Sequence, residues 1–108
     1  MTFRNPILSA LLAAAIAPAL AFAAEHEVAQ ENKQFTVGEL TIAKGDTVHF
    51  PNHDPFFHNV FSLSETKMFD LGSYAQGESK AIAFEEAGTV DVECAIHPNM
   101  RMQIHVQE

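Results

Sequence analysis

The chain contains one cysteine, and two further residues that bind soft metals follow it at regular spacing. Cys94, His97 and Met100 lie in the segment Cys-Ala-Ile-His-Pro-Asn-Met, so two residues separate each candidate ligand from the next. A tight loop with this spacing can direct a thiolate, an imidazole and a thioether toward one point. Sulfur ligands of this kind select copper over hard cations. The segment therefore predicts most of a mononuclear copper site.

A fourth donor must come from another part of the chain, and His58 is the candidate. It stands in Phe57-His58-Asn59-Val60, where a loop enters a predicted strand. Two imidazoles and one thiolate with a weak axial thioether form a trigonal set that serves electron transfer by copper. If the protein supplies all four ligands, no position is left for a substrate, so we do not expect an enzyme.

Other roles for these residues remain open from the sequence. Cys94 alone could be a small buried apolar residue, and Cys94 with His97 could form a nucleophilic pair. A nucleophile needs an accessible thiolate, which an inward-facing strand end does not offer. Met100 could fill the core, a role that suits Met102 better.

The remaining histidines give weaker signals. His49 and His105 are predicted on outward faces of strands, in solvent. His53, in a Pro- and Asn-containing turn, is predicted to be a polar turn residue, although it could tune the site or bind a second metal. If the chain were cleaved after Ala23, the new α-amine, two backbone nitrogens and the His26 imidazole could bind Cu(II) or Ni(II) in a square plane.

The elements that must position these residues are predicted to be strands. Several segments alternate apolar and polar residues, and none keeps a helical period. The predicted inward positions are Leu40, Ile42, Val48, Phe50, Ile82, Phe84, Val90, Val92, Cys94, Met102, Ile104 and Val106. Short strands and frequent turns predict an all-β fold, a β-sandwich or small barrel. Residues 64–76 lack alternation, and we predict a loop there.

Length and charge restrict the class of protein. A chain of 108 residues allows one domain. Its net charge of −8 argues against binding to nucleic acid, whose phosphates require a basic face. It also argues against an anionic membrane surface.

The first residues are typical of an export signal. Arg4 precedes an apolar stretch at residues 7–17, and Ala21-Phe22-Ala23 matches a cleavage site. The apolar stretch is too short to span about 30 Å of hydrocarbon as a helix. We predict a signal peptide at residues 1–23, a copper-binding domain at residues 24–108, export to a periplasm and no membrane span in the mature protein.

With these motifs the sequence resembles the cupredoxins, the small blue-copper proteins, and among them exported proteins of the amicyanin, plastocyanin and methylamine-utilisation type. The Cys-x₂-His-x₂-Met spacing, continued by Arg101, and the His58-Asn59-Val60 motif carry the resemblance. It implies a Greek-key β-sandwich with one copper ion on His58, Cys94, His97 and Met100. Asn59 would tie the His58 strand to the Cys94 loop.

The sequence departs from the family pattern at two places. Phe57 stands before His58 where those proteins usually have proline, and Ala95-Ile96 replaces a hydroxyl residue followed by proline. Losing that proline leaves an additional backbone N–H near the thiolate. These changes would alter the reduction potential and colour while the ligand set stays the same.

The resemblance implies a periplasmic one-electron carrier that cycles between Cu(I) and Cu(II). We expect a monomer that meets donor and acceptor proteins at an apolar patch around His97, and a basic docking face on the partner. The alternative is a copper chaperone or scavenger with the same ligands.

Overall fold

The computed structural model describes residues 22–108, so most of the predicted signal peptide lies outside the described residues. Ten strands form in this part of the chain, and none of it is helical. Accordingly, these residues contain no helix long and apolar enough to cross a membrane. The strands are β1 (Glu25–Glu27), β2 (Gln30–Glu31), β3 (Gln34–Phe35), β4 (Glu39–Ala43), β5 (Thr47–Pro51), β6 (His58–Ser64), β7 (Lys67–Tyr74), β8 (Ser79–Ala83), β9 (Gly88–Glu93) and β10 (Arg101–Gln107).

Two sheets enclose one core, which confirms the predicted all-β sandwich. One sheet has the order β1-β5-β8 and the other the order β4-β10-β9-β6-β7, while β2 and β3 form a separate hairpin. Both sheets contribute to the same cluster of buried apolar side chains, for example Val48 and Phe50 from the first and Val60 and Ile104 from the second. Burial of this cluster is the main favourable contribution to folding.

The predicted alternation is confirmed in the strands that flank the candidate copper loop. Val90 and Val92 of β9 are fully buried, and Cys94, directly after the strand, is 1% exposed. Strand β10 pairs antiparallel with β9. The loop from Cys94 to Met100 therefore connects two adjacent strands of one sheet.

The loop predicted at residues 64–76 was wrong, because most of it forms β7. This strand lies at the edge of the larger sheet and pairs with β6. Asn59 pairs with Ser73 but Phe61 pairs with Asp70, so β7 carries an additional residue in a β-bulge. Phe69 and Tyr74 both pack at the core although they are an odd number of residues apart. The additional residue of the bulge causes this spacing, so the inward side chains of β7 do not follow a period of two.

Gly88, the first residue of β9, occupies a position that only glycine accepts without strain. Its φ is +142°, and a Cβ atom there would lie 2.6 Å from Thr66 Oγ1. We expect Gly88→Ala to lower the free energy of unfolding by about 2–3 kcal/mol, through the unfavourable φ and the overlap with Thr66. Urea denaturation would measure this change.

Gly38 provides the matched control, since its φ is not positive and an added Cβ would meet no atom within 4 Å. Gly38→Ala should change stability little, and Thr66→Ala should recover part of the loss caused by Gly88→Ala. Equal effects of the two glycine substitutions would contradict the prediction.

Candidate metal centre

The sheet brings three of the predicted ligands together at one end of the sandwich. His58 is the first residue of β6 and Cys94 follows the last residue of β9. These strands pair antiparallel, so the start of one lies beside the end of the other. His97 reaches the same point from the loop after β9. The candidate ligand atoms of His58, Cys94 and His97 all lie within 4.8 Å of one another.

The separations between the donor atoms suit a single metal ion. His58 Nδ1 lies 3.2 Å from His97 Nδ1 and 3.7 Å from Cys94 Sγ. Two donors placed about 2.0–2.3 Å from one ion at tetrahedral to trigonal angles are about 3.3–3.8 Å apart. Two imidazoles and a thiolate are also the donor set that copper prefers in electron-transfer sites. The residues present therefore fit a copper ion.

Asp54 determines which nitrogen of His58 faces this point. His58 Nε2 lies 2.7 Å from Asp54 Oδ2, and both side chains are buried. A carboxylate only accepts, so Nε2 donates its hydrogen and Nδ1 keeps a free lone pair. A carboxylate on the far side of a ligand imidazole also increases the basicity of the ligand atom.

The Asp54 carboxylate is itself held by the turn between β2 and β3. The backbone N–H groups of Asn32 and Lys33 donate to its two oxygens at 2.8 and 3.0 Å. Both turn residues have positive φ, +56° and +59°, as expected in a two-residue hairpin turn. Burial raises the pKa of Asp54, but the hydrogen bonds from His58, Lys33 and Asn32 outweigh it and lower the pKa below its usual value. Asp54 is therefore an ionised acceptor.

Asn52 shapes the loop that carries Asp54 from β5 to β6. Its side chain is fully buried, and its Nδ2 donates to the carbonyls of Phe56 and Tyr74 at 2.9 and 3.0 Å. Its Oδ1 accepts from the Asp54 N–H at 2.8 Å. All three contacts fix the loop just before His58.

Asn59 connects the His58 strand to the loop of Cys94. Its backbone N–H donates to Cys94 Sγ at 3.4 Å, and its Oδ1 accepts from the Ala95 N–H at 3.4 Å. Its Nδ2 donates to Asp70 Oδ1 at 3.1 Å, which also accepts from the Gly72 N–H. Because Asp70 only accepts, it directs the Asn59 amide oxygen toward Ala95.

His97 lies at the rim of the site. The Phe56 ring packs against both imidazoles, with centroids 5.3 Å from His58 and 5.4 Å from His97. Desolvation lowers the pKa of His97, and the neighbouring His58 lowers it further. A neutral His97 has a lone pair available for a metal.

Met100 ends the loop and is 1% exposed. Its backbone N–H donates to the His97 carbonyl at 2.9 Å, which closes a turn between the two residues. Its side chain belongs to the buried apolar cluster, as does that of Met102, the predicted core methionine. Met100 as the axial ligand stays a prediction from the sequence.

The other histidines pair with carboxylates away from the three donors. His53 contacts Glu31 at 3.1 Å, His105 contacts Glu39 at 2.8 Å, and His49 contacts Glu25. Each of these six side chains is at least one third exposed. This agrees with surface roles for His49, His53 and His105.

The structure holds the segment Ala24-Glu25-His26 in an extended conformation that differs from the predicted square-planar chelate. Residues Glu25–Glu27 form β1, which pairs in parallel with β5. Successive N–H groups of a strand point to opposite sides, so those of Glu25 and His26 cannot face one ion. His26 Nε2 instead contacts Asp46 Oδ2 at 2.9 Å.

Sequence reasoning missed the roles of Asp54 and Asp70. An acidic residue four positions before a candidate histidine ligand was a usable signal for Asp54. Asp70 gave no local signal, because its contact with Asn59 depends on the pairing of β6 with β7.

Comparison with known proteins agrees with the copper site that this geometry indicates. A family model described as "Copper binding proteins, plastocyanin/azurin family" matches residues 22–107. Amicyanin from Paracoccus versutus is 32% identical over 80 residues, which cover 71% of this chain and 61% of that protein. The chain thus matches less than two thirds of the length of that relative.

Two further proteins are similar. The methylamine utilization protein MauL of Methylorubrum extorquens is 32% identical over 87 residues, covering 80% of this chain and 76% of MauL. The structure of a reduced amicyanin mutant superposes with a TM-score of 0.70 at 27% identity, covering 75% of this chain and 80% of the other.

Proposed function

Because the chain belongs to the plastocyanin/azurin family of copper-binding proteins, we propose that it carries single electrons between a donor and an acceptor protein. The proposed copper ligands are His58, Cys94, His97 and Met100. Copper supplies the Cu(I)/Cu(II) couple when bound. The convergence of the His58, Cys94 and His97 donor atoms within 4.8 Å is the observation that carries the proposal.

The contacts around the donors favour electron transfer over metal delivery. His58 and Cys94 are 0% and 1% exposed, and hydrogen bonds to Asp54 and Asn59 hold them in place. A preorganised buried site needs little rearrangement between oxidation states. A chaperone must release its ion quickly, and these contacts oppose release.

The proposed route for the electron is the exposed edge of His97. Phe57 is 56% exposed and Ile96 is 47% exposed, and each directly precedes a proposed ligand. We propose that both side chains belong to an apolar rim that a partner protein can cover. The net charge of −8 would steer this monomer toward a basic docking face, with rates that fall as salt rises.

We further propose that residues 1–23 are a signal peptide and that residues 24–108 act in the periplasm. The similarity to amicyanin and MauL supports this proposal. The cleavage motif Ala21-Phe22-Ala23 supports it independently.

The proposal predicts fast electron exchange and slow copper exchange. Protein produced without residues 1–23 and given Cu(II) should develop an intense visible band. NMR line broadening of mixed Cu(I) and Cu(II) forms would measure self-exchange, and a competing apo-protein would measure copper loss.

The matched histidine variants are His97→Asn and His105→Asn. His97→Asn should shift and weaken the band because one ligand is lost, whereas His105, which contacts Glu39 on the surface, should be replaceable without change. Copper transfer faster than electron self-exchange would favour the chaperone and contradict the proposal.

A further inference from the structure

Asp46 carries a cluster of polar contacts that includes none of the candidate copper ligands. It follows the tight turn at Gly45, just before β5, and is 5% exposed. Its Oδ2 accepts from the Ala43 N–H at 3.0 Å and contacts His26 Nε2 at 2.9 Å. Its Oδ1 accepts from the Ala24 N–H at 2.9 Å.

Among residues 22–108, Ala24 is the first whose backbone hydrogen bonds hold the chain to the sandwich. Its N–H donates to Asp46, and its carbonyl accepts from the Thr47 N–H at 3.1 Å. Strand β1 and the buried Val28 follow. The preceding Phe22 is 83% exposed and Ala23 is also exposed. Ala24 and Glu25 are exposed as well, so the boundary lies in the backbone hydrogen bonds, which within residues 22–108 begin at Ala24.

This boundary coincides with the cleavage position that the sequence predicts. Ala21-Phe22-Ala23 has small residues at the two positions that a signal peptidase reads, and its cut would fall directly before Ala24. Cleavage one residue later would remove the Ala24 donor from Asp46 and the acceptor from Thr47.

We propose that Asp46 is the receptor for the mature N-terminus: signal cleavage after Ala23 leaves the α-ammonium group of Ala24 paired with the Asp46 carboxylate. Hydrolysis of the Ala23–Ala24 peptide bond consumes one water, gives Ala23 a carboxylate and gives Ala24 an ammonium group. A hydrogen bond from a neutral N–H to the Asp46 carboxylate thereby becomes an ion pair in which both partners carry a charge.

The electrostatics of Asp46 agree with this role. Hydrogen bonds from His26, Ala24 and Ala43 outweigh desolvation and lower its pKa to about 2. The carboxylate is therefore charged at any pH at which export takes place. Strand β1 covers one edge of β5. Cleavage of the signal peptide would therefore strengthen the attachment of β1 and stabilise this edge of the sheet.

This inference rests on the proposed export, and its first test is the intact mass of protein purified from the periplasm of an expressing cell. The expected chain starts at Ala24, and a chain that starts at Glu25 or elsewhere would overturn the inference. The copper spectrum of the same sample tests the electron-transfer proposal separately, since Asp46 contributes no ligand to the candidate copper site.

The second test is a double-mutant cycle on apo-protein that begins at Ala24. Acetylation of the α-amine removes its charge and should lower the folding equilibrium constant roughly tenfold, because hydrogen bonds between charged groups are stronger than neutral ones. In an Asp46→Asn background the same acetylation should change the constant less than twofold. Urea denaturation at low ionic strength would measure all four proteins.

Glu27→Gln is the matched control, since Glu27 is an exposed carboxylate on the same N-terminal strand. Acetylation should keep its full effect in this background. An equal effect of acetylation with and without Asp46 would overturn the proposal. So would suppression of the effect by Glu27→Gln, because the charge would then act through the general acidity of the chain.

Discussion

A Cys94→Ser variant should lose the intense visible band of the copper(II) protein. The band requires a thiolate bound to the metal, and a serine hydroxyl is a hard donor that stays protonated. The loss of copper affinity should exceed the 10- to 100-fold typical of residues that only support a ligand. Absorption spectroscopy and competition with a chelator of known affinity would measure both effects.

The variant should still fold, so the loss would report on the metal site. Cys94 is 1% exposed and accepts from the Asn59 N–H, and a serine oxygen can accept the same hydrogen bond. We expect a decrease of about 1–3 kcal/mol in the free energy of unfolding of the apo form. Far-ultraviolet circular dichroism would verify the fold, and His105→Asn would serve as the control with full colour. A band of unchanged intensity in Cys94→Ser would reject the ligand assignment.

Asp54→Asn should weaken Cu(II) binding and raise the reduction potential. The amide oxygen can still accept from His58, but it carries no charge to increase the basicity of the imidazole. Loss of such a partner reduces metal affinity by about 10- to 100-fold. Cu(II) is affected more than Cu(I), and each tenfold difference between the two raises the potential by about 59 mV. Voltammetry on the copper protein would measure the shift.

The same substitution should destabilise the apo-protein. The Asp54 carboxylate accepts from Asn32, Lys33 and His58, and an amide must turn its NH₂ group toward at least one of these donors. We expect a loss of about 1–3 kcal/mol in the free energy of unfolding.

Glu31→Gln separates the hydrogen bond from simple charge removal. Glu31 lies on the same hairpin as Asn32, and its carboxylate contacts the exposed His53 instead of a candidate ligand. Its replacement removes the same charge and should leave the potential and the stability nearly unchanged. Equal shifts in the two variants would contradict the role given to Asp54.

Much of the fold could be predicted because burial leaves a periodic trace. In β9 and β10 each inward residue is apolar and each outward residue is polar or small, so Val90, Val92 and Cys94 could be assigned to one face. In β7 the bulge opposite Val60 adds a residue between Phe69 and Tyr74, so these two inward side chains do not share one alternating pattern. Strands β1, β2 and β3 hold only two or three residues each, too few to show alternation.

Residue types and their spacing were enough to identify the candidate donors and their chemistry. Cys94, His97 and Met100 lie on one short loop, so chain connectivity alone keeps them near each other, and the inward face of β9 places the sulfur in the core. The identity of the donors also selects a soft metal, which is a property of their atoms and not of the fold.

The contacts that hold those donors in place depend on the packing of the folded chain. Asp54 reaches His58 because the β2–β3 turn donates two N–H groups to its carboxylate, and Asp70 reaches Asn59 across the β6–β7 pair. Asp46 likewise meets Ala24 and His26 only when β1 lies along β5. These contacts join residues 11–22 positions apart, and a hydrogen bond depends on distance and direction in space. Spacing along the chain therefore indicates which residues can bind copper, and the packed sheets determine which nitrogen, oxygen and sulfur atoms meet.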